Sequence, residues 1–335
     1  MTPKVSVLVP VYNVSRYIDR FAKSLFNQTF DNMEFVFVDD ASTDDSMLKL
    51  KQIIEQYPDR QEHIQIVTHP SNKGLATARN SAIDNSTGEY ILFVDSDDYL
   101  EPNMVEMLYA EAIRSDADIV FCGAILHRKN RQCILVDPLS PDSDNYLEHI
   151  LFNDDSMAYV WNKLIKRTLY KEDCRVPEGL NYLEDKYVTT RLYYYAKKIR
   201  KIDQILYHYN KTNLSSITAS KDYMHFENVQ RFWILTEDFL KEKGILAKYQ
   251  PRLDKEKAIS KIRLMIETSS YRLRKDFKTM FEREEKEYFS AFRLGEKIMS
   301  LCIRNRCFFI AQLWHYALEI KIKLPEMLSP QQTND

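Results

Sequence analysis

A run of apolar residues, 90–94, stops abruptly on three carboxylates, Asp95, Asp97 and Asp98, packed within four positions. The run reads as a buried strand, which puts the three acids at its carboxyl end. Like charges this close repel unless something positive lies among them. Hard carboxylate oxygens suit Mg²⁺ or Mn²⁺, and sites of that kind usually hold phosphate as well. A plainer alternative stands beside this one: a solvated acidic turn ahead of the helix that Pro102 opens.

The same design recurs along the first 120 residues. Val5–Val11 is continuously apolar, as a strand buried on both faces must be. Ser15 then precedes Ile18, Phe21 and Leu25 at helical spacing and is the expected N-cap. Residues 34–38 make a second strand, ending at Asp39 and Asp40, with Ser42, Thr43 and Asp44 placed to cap the next helix. Residues 64–67 predict a third strand, 75–85 a helix, and 119–122 a fifth strand after the helix opened by Pro102. Strands alternating with helices predict an α/β fold, a mostly parallel sheet with helices on both faces. Ligands bind such sheets beyond the carboxyl ends of the strands. Tyr12 and Asn13, Asp39 and Asp40, and the acids after residue 94 are therefore expected around one crevice.

Residues 124–150 suggest a hairpin and a loop, with Pro138 and Pro141 as breakers. Residues 151–220 form a Tyr- and Trp-rich segment, and from 221 the pattern turns helical, with about four helices expected. The expected division is a body over 1–220, with 124–220 as its second part, a helical region over 221–328, and a frayed tail over 329–335. The net charge of -2 is uneven: residues 241–323 hold 20 Lys and Arg against 11 Asp and Glu, a net of +9, which leaves -11 elsewhere. A basic helical tail suits an anionic surface, though a solvated helical face is the commoner reason for such a bias. Five cysteines without a CxxC pair fit a reducing compartment. No apolar run is long enough to cross a bilayer and the N-terminus has no leader pattern, so the expectation is a cytoplasmic chain.

Four ordered blocks carry a family likeness: VSVLVPVYN, FVFVDDASTDDS, HPSNKGLATARNSAI and GEYILFVDSDDYLEP. Together they resemble the inverting glycosyltransferases of family two, which have the Rossmann-like GT-A fold and use nucleotide-sugar donors. The likeness is strong over the first hundred or so residues. It continues more weakly through WNKLIKRTLY, Leu183-Glu184-Asp185 and YHYNKTNLSSIT, and leaves out the helical tail.

The resemblance implies roles for particular residues. Pro10, Val11 and Tyr12 match the segment that holds the nucleotide base, with Tyr12 able to stack on a pyrimidine. Asp39 matches the carboxylate that accepts from uracil or ribose. Asn72, Lys73 and Gly74 match a loop closing over the nucleotide, and Arg79 a cation facing it or its phosphates. That cation could equally pair with a site carboxylate. Asp95, Ser96 and Asp97 match the DxD motif, with Asp97 the direct metal ligand, Asp95 on the ribose or metal-bound water, and Mn²⁺ or Mg²⁺ the implied cofactor. Asp98 is expected to orient the loop or acceptor. Asp185 matches the general base and Glu184 its neighbour, at the start of a helix over 186–196. Trp161 matches an aromatic lining the sugar pocket, although a buried core Trp fits the sequence nearly as well. His208 is a candidate third metal ligand or diphosphate contact, and Ser215 and Ser216 are candidate donors to the diphosphate or caps of the helix that follows.

The implied reaction moves a hexose or N-acetylhexosamine from a UDP-sugar to a saccharide acceptor, free or lipid-linked, in capsule, O-antigen or exopolysaccharide synthesis. No nucleic-acid partner is expected. The stretch 303–324, with Phe308, Phe309, Leu313, Trp314 and Leu318, suits either peripheral contact at the inner face of the cell membrane or packing, including a homodimer seam. A nucleotidyltransferase or a dehydrogenase needs a glycine-rich turn after the first strand, and PVYNVSRYI holds no glycine. A non-catalytic sugar-nucleotide-binding scaffold would have no use for both the DxD acids and Glu184-Asp185.

Overall fold

The computed structural model describes residues 3–129, 131–138, 145–153, 158–213, 223–268, 270–310, 312–314 and 316–317. The chain divides into two compact units, Met1–Leu214 and Ser215–Asp335.

The first unit runs β1 (Val5–Val11), α1 (Ile18–Phe26), β2 (Met33–Asp39), α2 (Ser46–Ile54), α3 (Pro58–Gln61), β3 (Ile64–Thr68), α4 (Leu75–Asp84), β4 (Tyr90–Phe93), β5 (Tyr99–Leu100) and α5 (Met104–Ser115). It continues with β6 (Ile119–Arg128), β7 (Arg131–Leu135), α6 (Tyr146–Phe152), β8 (Lys163–Lys166), α7 (Glu184–Tyr195) and β9 (Ile199–Asn210). The sheet order is β3-β2-β1-β4-β8-β6-β9-β5, with β7 on β6. Every residue of β1 is buried, because the sheet is covered on both faces. Val5, Val7, Val9 and Val11 share one core with Ile18, Phe21 and Leu25 of α1, as strand and helix periods require.

The pairs β1–β2, β2–β3 and β1–β4 are parallel, so these four strands end on one edge of the sheet. The second half is mixed: β8 runs antiparallel to β4 and β6, while β9 is parallel to β6 with a register shift at Gly123. The strand expected at 119–122 is β6, which runs on to Arg128, and its hairpin partner is β7. Two expected caps differ as well. Ser15 lies outside α1, whose N-cap is Tyr17, and the Ser15 amide donates to Asp44 Oδ2 at 3.0 Å. Asp44 also accepts from the Ser46 amide at 3.0 Å, so it ties two loops together as well as helping to start α2.

The second unit contains α8 (Tyr223–Glu242), α9 (Leu246–Glu267), α10 (Tyr271–Asp276), α11 (Glu282–Glu287) and α12 (Leu294–Arg304). Phe232, Leu240, Ile262, Met265, Met299 and Ile303 are buried in it. A fully buried pair, Lys261 Nζ to Glu285 Oε2 at 2.5 Å, crosses from α9 to α11. Pro141, Ser215, Ser216, Leu318 and the tail 329–335 lie outside the described residues.

Candidate active site

Three parallel strand ends bring their polar residues together, as the topology demands. Asn13 follows β1 in the left-handed conformation, and its Oδ1 accepts from the Thr43 amide at 2.8 Å. Asp39 closes β2 and accepts from the Ser42 amide at 2.8 Å. Tyr12 is 45% exposed and leaves its ring open beside them. Pro10 and Val11 are buried, and the Val11 carbonyl accepts from the Asp40 amide at 2.9 Å.

Asp40 does more than its place beside Asp39 suggested. Its Oδ1 accepts from the Lys73 amide at 2.9 Å and meets His69 Nδ1 at 2.7 Å, while Oδ2 accepts from the Gly74 amide at 2.8 Å. One carboxylate thereby fixes the Asn72–Lys73–Gly74 loop to the sheet edge. Gly74 has φ +86, and a Cβ there would fall 2.6 Å from Asn181 Oδ1, so the turn needs glycine twice over.

The acidic run after β4 splits into different environments. Ser96 Oγ donates to the Pro10 carbonyl at 2.8 Å, pinning the turn to β1. Asp98 is completely buried and accepts from the Tyr207 hydroxyl and the Asn210 amide, both at 2.7 Å. Burial, followed by the charges of Asp97 and Asp95, pushes its carboxyl well up. It is a latch between this turn and β9. Asp97 accepts from Asn213 Nδ2 at 2.8 Å and is pushed up to about 6 by burial and then by Asp95. Asp95 points an oxygen at the Arg79 guanidinium.

Arg79 is the hub. It sits on α4, 4% exposed, and its Nη2 donates to Asp95 Oδ1 at 3.0 Å. Its Nη1 donates to Glu184 Oε1 at 3.0 Å and Asp185 Oδ1 at 2.5 Å. Both acids lie in the first turn of α7, after Leu183 in the left-handed conformation. Burial works against the guanidinium charge, but Asp185, Asp95 and Glu184 outweigh it and push Arg79 up. One cation among three carboxylates, Glu184 buried and Asp95 and Asp185 partly so, leaves excess negative charge. Burial and then Asp185 accordingly raise Glu184 strongly, against the pull of Arg79. Burial also raises Asp185, with Arg79 the main opposing influence.

Other expected residues stand elsewhere. Trp161 is 1% exposed, stacked 4.3 Å from Tyr207 and 4.8 Å from Tyr159. Its ring is core, which corrects the expectation of a pocket wall. The half-buried Tyr159 is the outer member of that stack, and the charge of Asp185 reaches it. His208 stacks on Tyr99 at 4.1 Å, with Nε2 on Glu101 at 2.7 Å and Nδ1 on His127 at 2.9 Å. Both ring nitrogens are thus engaged by protein groups, and the structure does not bring His208 to Asp97 as a third ligand. Lys163, a residue the sequence did not single out, is fully buried on β8. Burial pulls its amine down to about 8, against Asp137 and Asp185. The amine donates to the neighbouring Asn162 Oδ1 at 2.8 Å.

Residues 6–173 match the sequence model described as Glycosyl transferase family 2. The chain is 32% identical over 260 residues to EpsH of Bacillus subtilis (strain 168), covering 76% of this chain and 74% of EpsH. In fold it resembles S. aureus TarS 1-349, solved in complex with UDP-GlcNAc, with a TM-score of 0.59 at 22% identity over 90% of this chain and 92% of that one. It also resembles the mannosyltransferase PcManGT from Pyrobaculum calidifontis, solved with GDP-Man and Mn²⁺, with a TM-score of 0.52 at 17% identity over 96% and 87%. The two structural likenesses speak to the fold, a GT-A-like mixed α/β sheet followed by helices.

Proposed function

The chain belongs to glycosyl transferase family 2, and on that premise we propose that it moves a hexose or N-acetylhexosamine from a UDP-sugar to a saccharide hydroxyl, with inversion, in the synthesis of a bacterial surface polysaccharide. The observation that carries this reading is the shared guanidinium: Arg79 joins Asp95 of the DxD run to Asp185 at the start of α7. Donor-side and acceptor-side carboxylates then lie within one side chain of each other, as an in-line displacement needs.

In this reading Asp185 is the general base. Arg79 holds its Oδ1, and among the described residues its Oδ2 accepts no hydrogen bond, so that oxygen takes the acceptor proton. Burial raises its affinity for a proton, which suits a base. Glu184 shares the guanidinium and fixes the helix start. Tyr12 covers the base, Asp39 accepts from base or ribose, and the Asn72–Gly74 loop closes over the nucleotide.

The donor set fits a hard divalent cation, Mn²⁺ or Mg²⁺. Asp95 and Asp97 offer carboxylate oxygens, and burial with mutual repulsion makes Asp97 seek a positive partner. Among the described residues no cluster of three or more His, Cys, Asp or Glu side chains could hold a metal, so diphosphate and water would complete the shell. A bound cation would neutralise charge on the departing nucleoside diphosphate. The five free cysteines fit the cytoplasm, where we place the reaction, with a lipid-linked saccharide as acceptor and the C-terminal helices as the part nearest the membrane.

The test is Asp185→Asn with UDP-sugar, Mn²⁺ and saccharide acceptor. UDP release should fall by roughly 10²- to 10⁴-fold while UDP affinity stays within about twofold. Turnover near the wild-type rate removes Asp185 from the role of base.

A further inference from the structure

More than half of the large apolar side chains exposed among the described residues fall at Tyr271 or within 294–316. On α12, Leu294, Ile298 and Leu301 are exposed at positions i, i+4 and i+7, one face of the helix. The following stretch is helical at 308–310, 312–314 and 316–317. There Phe309, Leu313 and Tyr316 repeat the same spacing, Phe309 being 61% and Leu313 64% exposed. The two helical segments touch. The Trp314 ring lies against Gly295, where a Cβ would fall 3.3 Å from it. Each helix already buries another apolar face, through Met299 and Ile303 on α12 and through Phe308 after it. A helix that is apolar both inward and outward has a second surface to cover.

The flank of the outward face says what covers it. Lys297 lies beside the α12 stripe, with exposed Arg293 and Arg306 at its two ends. Glu296 is turned aside, its carboxylate accepting from the Arg293 amide at 2.8 Å. An apolar strip with a basic border matches the acyl–headgroup boundary of an anionic bilayer. Among the described residues no helix is long and apolar enough to cross one, so the contact is peripheral. We infer that Leu294, Ile298, Leu301, Phe309 and Leu313 form a docking face for an anionic lipid surface. This deepens the membrane part of the function proposed above and is independent of its chemistry.

The experiment floats the full chain with vesicles of phosphatidylcholine alone or with one-third phosphatidylglycerol. Wild type should partition into the anionic vesicles at least tenfold more than into the neutral ones at low salt, and less as salt rises. The triple variant L301S/F309S/L313S should lose tenfold or more of that binding. The pair K297Q/R306Q, which leaves the apolar strip intact, should lose at least fivefold on anionic vesicles alone, and it carries the test if the triple variant misfolds. Wild type left unbound, or both variants floating like wild type, overturns the inference. So does a dimer, seen by light scattering, that the triple variant splits while flotation is unchanged, since a second copy would then be the occupant. UDP release into a soluble acceptor should be equal in wild type and both surface variants, and Asp185→Asn should float normally, so the two proposals fail separately.

Discussion

Arg79 Nη1 approaches Asp185 Oδ1 to 2.5 Å, across 106 positions of sequence, inside a shell almost closed to solvent. The pairing is stabilising only while the cation is present. Removing Arg79 leaves Asp95, Glu184 and Asp185 facing one another in a poorly solvated pocket. Breaking a buried pair in this way costs about 3–5 kcal/mol. Arg79→Ala should therefore lower the unfolding free energy by about that much at pH 7.5. The deficit should shrink at pH 5, because Glu184 and Asp185, both raised by burial, take up protons as pH falls through their folded values. Urea titrations at the two pH values measure it; an equal deficit at both would mean that the acids relax into water when the guanidinium is gone.

Asp97 supplies a second pH signature. Its carboxyl ordinarily titrates near 3.8 and is pushed up to about 6 in the fold, so the folded state prefers the protonated form. The group therefore withdraws stability as pH rises from about 4 through 6, and the loss is complete above that. The shift is worth at most about 3 kcal/mol. Without metal, Asp97→Asn should melt higher than wild type at pH 7.5 and equal it near pH 4. With Mn²⁺ and UDP the order should reverse, because wild type gains a ligand that the variant binds poorly. Thermal shift at both pH values, with and without ligand, tests this; a variant that melts lower without ligand contradicts the repulsion argument.

How much of this was legible beforehand follows from the physics of each element. Strands β1 and β4 announce themselves because both faces are buried and nearly every residue is apolar, and β2 does so through its apolar stretch 35–38. Strand β9 does not: Arg200, Lys201, Asp203 and Gln204 break its pattern, and only pairing with β6 and β5 makes it a strand. The acids at 95–98 and 184–185 were visible as residue types, but the guanidinium joining them spans more than a hundred positions. Trp161 suited a pocket only slightly better than a core, and its burial places the ring in the core. Asp40 looked like a neighbour of Asp39, since nothing in its local sequence says that its partners are the amides of Lys73 and Gly74.

That last contact leads to a prediction about donor binding. Asp40 accepts from the amides of both Lys73 and Gly74 in the Asn72–Gly74 loop. Hydrogen bonds to a charged acceptor contribute about 1.5–3 kcal/mol each, part of which is lost when the loop can turn to water. Asp40→Ala should raise the KM for the UDP-sugar by about tenfold or more, while kcat changes less. Gly74→Ala should do the same by another route, since φ +86 with ψ 162 is a backbone conformation kept almost wholly to glycine and costs an L-residue about 1–3 kcal/mol before the contact with Asn181 is counted. Initial rates over donor concentration separate the two parameters. A pure kcat effect would place the loop in catalysis instead of binding.

Lys163 tests how far the buried charge network reaches. Its amine ordinarily titrates near 10.5 and falls to about 8 in the fold, because burial disfavours the charged form more than Asp137 and Asp185 favour it. Folding therefore prefers the neutral amine, and this group restores stability as pH rises from about 8 toward 10.5. Below pH 8 the charged amine is a net burden of at most about 3 kcal/mol. Lys163→Met keeps the volume and removes the charge, so it should stabilise the fold at pH 7 and lose that advantage above pH 10. The same change removes a cation that lowers the proton affinity of Asp185. The acid limb of the rate profile should then move to higher pH, with the plateau nearly unchanged. A stabilised variant with an unmoved acid limb would show that Lys163 is electrostatically isolated from the base; a destabilised one would show that its ammonium is held by more than it costs to bury.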